Sequence, residues 1–140
     1  MVSADRLKLV AGVGPLQLLF GIDELQEVLA AGELEWLPDG EAIRLRGAEV
    51  PVRDPESLFG VPAAAAFAAR HLLVFRDPDR PWGLLVDDIV GVFPAESFIL
   101  RDVPALLRKP GQSYRQIAVH QGRVLICCDS ERLAARRSAP

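Results

Sequence analysis

The sequence predicts an all-β protein, and three features carry that prediction. About eight short apolar runs recur at turn-rich intervals along the chain. Several of these runs alternate apolar and polar residues with a period of two, the signature of half-buried strands. Long segments with helical periodicity are scarce. The clearest case is the stretch from Ile43 to Asp54, where Ile43 and Leu45 alternate with Arg44 and Arg46. Alternation resumes after Gly47, with Val50 and Val52 set against Glu49 and Arg53. This pattern predicts two strands joined by a tight turn, with Gly47 supplying the positive φ that such a turn requires. The turn presents arginine side chains beside a rigid hairpin, a geometry suited to docking rather than to chemistry.

The other elements follow in order. Leu7, Leu9 and Ala11 alternate with Lys8 and Val10 in a first strand, which Gly12-Val13-Gly14-Pro15 ends in a turn. Residues 16–20 form a second strand, apolar except for Gln17. Ile22, Leu25, Val28 and Leu29 stand at helical spacing, and Asp23 and Glu24 fall where carboxylates complement a helix dipole, so a helix is expected over residues 22–29. Leu34, Trp36 and Leu37 give a short strand stopped by Pro38-Asp39-Gly40. Beyond the central hairpin, Pro55 to Gly60 makes one helical turn, with Pro at its start and Gly past its end. The alanine-rich residues 63–69 read as helix or linker, which places a join between two halves at about residues 55–70.

Residues 72–75 form a buried strand, and the proline-rich residues 77–81 a turn. Residues 82–87 and 89–93 read as paired or consecutive strands, with a further strand at residues 98–100. Residues 114–119 and 123–128 flank the hairpin turn His120-Gln121-Gly122. Asp129 is placed to N-cap a short closing helix.

Composition narrows the function. A chain of 140 residues, half of them hydrophobic and 25% charged, suffices for one ordered domain with a proper core. A net charge of −3 with scattered basic residues gives no basic face, which argues against nucleic-acid binding. Only Arg132, Arg136 and Arg137 cluster, in what reads as a solvated tail. No apolar run approaches the roughly 20 residues that span a bilayer, so direct membrane insertion is not expected. The first residues lack a secretory pattern, and the expected location is cytoplasmic.

The inventory for chemistry is thin. His71 and His120 lie far apart, and neither has an evident catalytic partner. Adjacent Cys127 and Cys128 point to opposite faces of a strand, and two thiols alone make no zinc site. Gly12-Val13-Gly14 precedes Pro15 rather than a helix, so it is no phosphate loop. Asp87-Asp88 could suggest a metal pair, but Asp87 is more simply a strand-end residue capping backbone donors. No catalytic residue, cofactor or metal is assigned, and the protein is expected not to be an enzyme.

Several motifs, in order, resemble the CheW-like domain of chemotaxis coupling proteins, a domain also found in the chemotaxis kinase CheA. Residues 16–20 followed by Glu27-Val28-Leu29 resemble the family's early strand and its "E-V-L" helix end. Leu45-Arg46-Gly47 with Val50-Pro51-Val52 and Asp54 resembles its "L-R-G-x-x-x-P-V-x-D" signature. Gly83-Leu84-Leu85-Val86-Asp87, with Val90 and Val92, resembles "G-L-x-V-D" and the valine strand after it. Gly122-Arg123-Val124-Leu125-Ile126 and residues 129–133 resemble the last strand and the closing "D-x-x-x-L". The chain departs from the pattern in a short 38–46 segment, in Arg44 where the family usually carries Asn, and in Pro55 where a Leu usually follows the Asp.

This resemblance implies one domain over residues 1–140, built as two small SH3-like five-stranded β-barrel subdomains packed together, with short helices. It implies a non-enzymatic adaptor that couples the cytoplasmic tips of chemoreceptors to the regulatory domain of a CheA-type histidine kinase. The partner-binding positions it implies are Glu27, Arg46, Gly47, Val50, Val52, Gly83, Leu85 and Asp87. The departures around the hairpin raise a second reading, a specialised scaffold that binds only one array component or another regulator. A third, a small β-barrel enzyme or ligand-binding protein, needs a pocket with convergent polar groups, which the histidine, cysteine and acid content does not favour.

Overall fold

A computed structural model describes residues 6–62, 64–66, 69–77, 79–107 and 116–137, with the backbone alone for residues 107 and 135–137. The chain opens with β1 (Leu7–Val13) and β2 (Leu16–Gly21), turning at Gly14-Pro15 as the Gly-Pro cluster predicts. It then crosses to a second sheet made of β3 (Leu25–Ala30), β4 (Glu35–Trp36), β5 (Ala42–Leu45), β6 (Ala48–Arg53), β7 (His71–Phe75) and β8 (Trp82–Val86). It returns to the first sheet as β9 (Asp88–Pro94), β10 (Ile99–Asp102), β11 (Gln116–His120) and β12 (Arg123–Cys127). Helix α1 (Pro55–Phe59) follows β6, and α2 (Ser130–Arg137) closes the chain.

The first sheet has the order β10-β11-β12-β2-β1-β9 and the second β3-β7-β8-β6-β5-β4. Each is the sheet of one SH3-like subdomain, called barrel 1 and barrel 2 below. Each contains six strands among the described residues, one more than the five expected, once short strands such as the two-residue β4 are counted.

Alternation within the central strands builds three apolar layers. In β1 and β2, Leu9, Ala11, Val13, Leu18 and Phe20 face a core shared between the barrels, while Val10 and Leu19 face the interior of barrel 1. In β7 and β8, Leu73, Phe75, Trp82, Leu84 and Val86 face the shared core, while Leu72, Val74 and Leu85 fill barrel 2. These strands are apolar on both faces because both faces are buried. The shared core centres on Phe20, Phe75 and Trp82, with successive ring centroids 4.9 Å apart. Leu58 of α1 and Leu133 of α2 seal it.

The central hairpin forms as expected, with Ile43 opposite Val50 and Leu45 opposite Ala48. Both turn residues are left-handed, Arg46 at φ 50° and Gly47 at φ 81°, as a two-residue turn of type I′ requires. Gln121 and Gly122 repeat this geometry between β11 and β12. Asp54 caps α1 by accepting the Glu56 N–H, Asp129 caps α2 by accepting the Glu131 N–H, and Gly60 ends α1 in the left-handed region.

Two expectations are corrected. The helix over residues 22–29, and with it the helical reading of "E-V-L", is instead a single 3-10 turn (Ile22–Glu24) followed by β3. Pairing with β7 imposes a period of two from Glu27 on, with Val28 38% exposed and Leu29 packed against the barrel 2 core, while a bulge between Leu25 and Glu27 leaves Leu25 buried in the shared core. Ladder pairing with a buried neighbour overrides a weak local preference. The passage between subdomains also lies elsewhere than residues 55–70. That region joins β6 to β7 within one sheet, and the chain changes sheets at residues 22–24 and at Asp87. Of the two arrangements open for residues 82–87 and 89–93, the structure shows consecutive strands, and these lie in different sheets. Tyr114 and parts of the 63–69 run lie outside the described residues, as do the side chains of Arg136 and Arg137.

Candidate partner-binding surface

Two of the residues singled out by resemblance meet in space. From the left-handed tip of the β5–β6 hairpin, Arg46 reaches Glu27 on β3 and donates to it through both terminal nitrogens, Nη1 to Oε1 at 2.5 Å and Nη2 to Oε2 at 2.7 Å. This is the two-pronged geometry at which a guanidinium matches a carboxylate. β3 ends one edge of the barrel 2 sheet and β5 lies near the other, so the pair clasps the barrel across its open side. Trp36 reinforces the closure by donating its indole N–H to the Ala31 carbonyl at 3.1 Å. The hydrogen bond from Arg46 holds the Glu27 carboxyl below the ordinary range, and the same bond raises the Arg46 pKa. The Glu27 side chain is only 19% exposed, whereas that of Arg46 is 66% exposed. Two of the five guanidinium N–H donors are committed to Glu27, and the others remain free for acceptors on another molecule.

Of the remaining predicted positions, all but Gly47 lie deeper. Gly47 sits in the open turn, where nothing crowds its α-carbon. Val50 and Leu85 are buried in barrel 2, and Val52 is half-buried against the same core. Gly83 is buried as well, and a Cβ there would come within 2.7 Å of the Leu72 side chain. These four support the hairpin from beneath. Asp87 is enclosed between the barrels, where its carboxylate accepts backbone N–H groups from Gly14, Ala64 and Ala65. Burial pushes its pKa up, but those three bonds and the nearby Arg70 outweigh burial and hold it below the ordinary value.

A second surface was not singled out in the sequence. On barrel 1, Ile99, Val119 and Val124 stand in one cross-strand row over β10, β11 and β12. The intervening Ala118 and Leu125 point into the barrel, so the row points outward, with Ile99 53% and Val124 62% exposed. Val90 and Val92 lie exposed on β9, at the far edge of the same sheet. Apolar side chains gathered on one barrel in this way mark an interaction surface more often than scattered ones do. The signal in the sequence is apolar residues on both faces of a strand, as in Val124-Leu125-Ile126, which does not reveal which face is covered.

The chemistry-bearing residues do not converge. His120 is wedged between Phe93 and Phe98, with ring centroids 4.7 and 4.5 Å away, and its Nδ1 donates to the Ser97 carbonyl. His71 lies at the start of β7 in the other sheet. Burial raises the pKa of both Cys127 and Cys128, which keeps them as thiols rather than reactive thiolates. Among the described residues, no group of three or more His, Cys, Asp or Glu side chains is placed to hold a metal, and no helix is long and apolar enough to cross a membrane.

Comparison with known proteins agrees with this architecture. No curated protein sequence matches the chain. The scaffolding protein TtCheW from Thermoanaerobacter tengcongensis has a similar structure, with a TM-score of 0.70 over 89% of each chain at 19% sequence identity. The family model for the CheW-like domain matches residues 9–138. Two SH3-like subdomains sharing one core, a forked clasp at the "L-R-G" turn and a family match over nearly the whole length lead to one conclusion: the chain belongs to the CheW-like domain family.

Proposed function

We propose that this protein is a non-enzymatic cytoplasmic adaptor that couples chemoreceptor signalling tips to the regulatory domain of a CheA-type histidine kinase. The observation that carries the reading is the presence of two chemically different faces on one rigid body. Barrel 2 offers a polar, geometrically fixed fork at Glu27–Arg46, and barrel 1 offers the apolar row Ile99, Val119 and Val124. A shared core holds the two barrels together. A receptor helix meets the outward donors of Arg46, whose own direction is set by Glu27. A barrel of the kinase regulatory domain meets the apolar row and the adjoining sheet edge, where strand addition and buried apolar area supply affinity.

The specialised-scaffold reading draws support from the clasp itself, because a partner that needs the full fork must displace Glu27. Calorimetric titration against the isolated kinase regulatory domain and, separately, against a receptor-tip fragment decides between them. Binding to both is expected of the coupling adaptor. Binding to one alone identifies a specialised scaffold, and binding to neither overturns the coupling role.

A further inference from the structure

Asp87 stands where the chain passes from barrel 2 to barrel 1, and its surroundings join segments far apart in sequence. Its own N–H donates to the Gly12 carbonyl on β1 at 2.8 Å. Its Oδ2 accepts the N–H of Gly14, in the β1–β2 turn, at 2.6 Å, and that of Ala64, beyond α1, at 3.0 Å. Its Oδ1 accepts the Ala65 N–H at 3.1 Å and lies 3.9 Å from Arg70 Nε. Arg70 also pairs with Asp54, the N-cap of α1, at 3.5 Å, and donates to the Ala65 carbonyl at 3.4 Å. Gly14 lies so close to the segment after α1 that a Cβ there would sit 2.8 Å from Val61 Cγ1 and 3.0 Å from the Pro62 carbonyl. The turn of one barrel and a connection of the other are thus pressed together around one carboxylate.

We infer that Asp87, with Arg70 and Asp54, is an inter-barrel latch, a positioning residue that holds the two docking faces in a fixed relation rather than touching a partner itself. Three N–H donors converging from two segments demand an acceptor-only group, and an ionised carboxylate is the side chain that offers acceptors on both oxygens and no donor. The charge completes the arrangement by holding Arg70, which carries the link onward to α1. The latch follows from the geometry alone; its consequence for partner binding rests on the adaptor reading.

The test compares the whole chain with Asp87→Asn, by amide hydrogen exchange and by residual dipolar couplings, which report the relative orientation of the barrels. An amide side chain retains one acceptor oxygen for Gly14 and Ala64 but turns a donor toward Ala65 and Arg70. Exchange at Ala65 is therefore expected to rise at least tenfold, with smaller rises at Gly14 and Ala64, while amides inside each barrel stay protected. The couplings are expected to show a changed or broadened inter-barrel orientation. Unchanged protection at Ala65 overturns the latch, and so does a uniform rise across both barrels, which would mark a general loss of stability. A Leu125→Ala variant serves as a control destabilised within barrel 1. The adaptor reading adds that Asp87→Asn weakens partner binding at least fivefold, and that the control does not. If the unmodified protein binds neither partner, the adaptor reading fails and the exchange data still decide the latch.

Discussion

The two barrels treat their exposed sides in opposite ways. Barrel 2, drawn from one continuous stretch of chain, β3 to β8, closes its open side with a charged clasp from the hairpin tip to β3. Barrel 1, drawn from the N-terminal hairpin and β9 to β12, leaves valine and isoleucine side chains in water on β9, β10 and β12. Both barrels fill their interiors with apolar residues and share one aromatic core, and the contrast of interest lies on the outer surface. An exposed ion pair contributes little to folding, and an exposed valine row contributes less. Both features make physical sense as recognition elements, one supplying direction and the other apolar area.

The largest perturbation should erase the distinction between the barrels. Trp82→Ala removes the biggest side chain of the shared core, and a loss of about 3–5 kcal/mol is expected. Both barrels should melt in one transition by denaturant unfolding, and two separate transitions would show that the barrels are independent. Leu85→Ala, confined to the interior of barrel 2, should cost about 2–4 kcal/mol, and a midpoint equal to that of the unmodified protein would place Leu85 outside the core. The surface rows should respond the other way. Ile99→Thr combined with Val124→Thr should leave the unfolding free energy within about 0.5 kcal/mol, the usual range for surface changes. The same pair should weaken kinase-domain binding by about tenfold or more, the scale of lost apolar burial.

The smallest effect on folding is expected at the clasp. Arg46→Ala should leave the fold intact, reduce receptor-tip affinity by about tenfold, the scale of a charge-assisted hydrogen bond, and let the Glu27 carboxyl titrate closer to its ordinary value. Carbon-detected NMR titration of Glu27 would show that shift, and an unchanged value would mean that the fork does not persist in solution. The sign follows from the direction of the shifts. Glu27 and Asp87 both titrate below their ordinary values when folded, so their contribution is present above the unfolded-chain value and is lost as pH falls through the folded one. Unfolding should therefore be promoted by acid below the ordinary carboxylate range, with no dependence from these two groups near neutrality.

Local signals were legible in the sequence. The Arg46-Gly47 and Gln121-Gly122 turns, the helical turn from Pro55 to Gly60, the cap Asp129 and the buried strand β7 all follow from chemistry within a few residues. What escaped was decided by distant partners. Residues 22–29 carry apolar side chains compatible with either period, and β7 selected the strand. Glu27 and Arg46 stood out individually by resemblance, but nothing between them signals that they join across 19 residues. Asp87 was legible as a capping residue, whereas its donors lie 22, 23 and 73 positions away. The outward row of barrel 1 stayed hidden because β12 is apolar on both faces, and only the packing of Leu125 shows which face is covered.

A single body with two independent docking faces should hold both partners at once. Analytical ultracentrifugation of the protein mixed with the kinase regulatory domain and the receptor-tip fragment tests it most directly. A complex containing all three components is expected, from which Arg46→Ala releases the receptor fragment and the Ile99→Thr/Val124→Thr pair releases the kinase domain. Mutual displacement of the two partners, with no three-component species at any concentration, would contradict it.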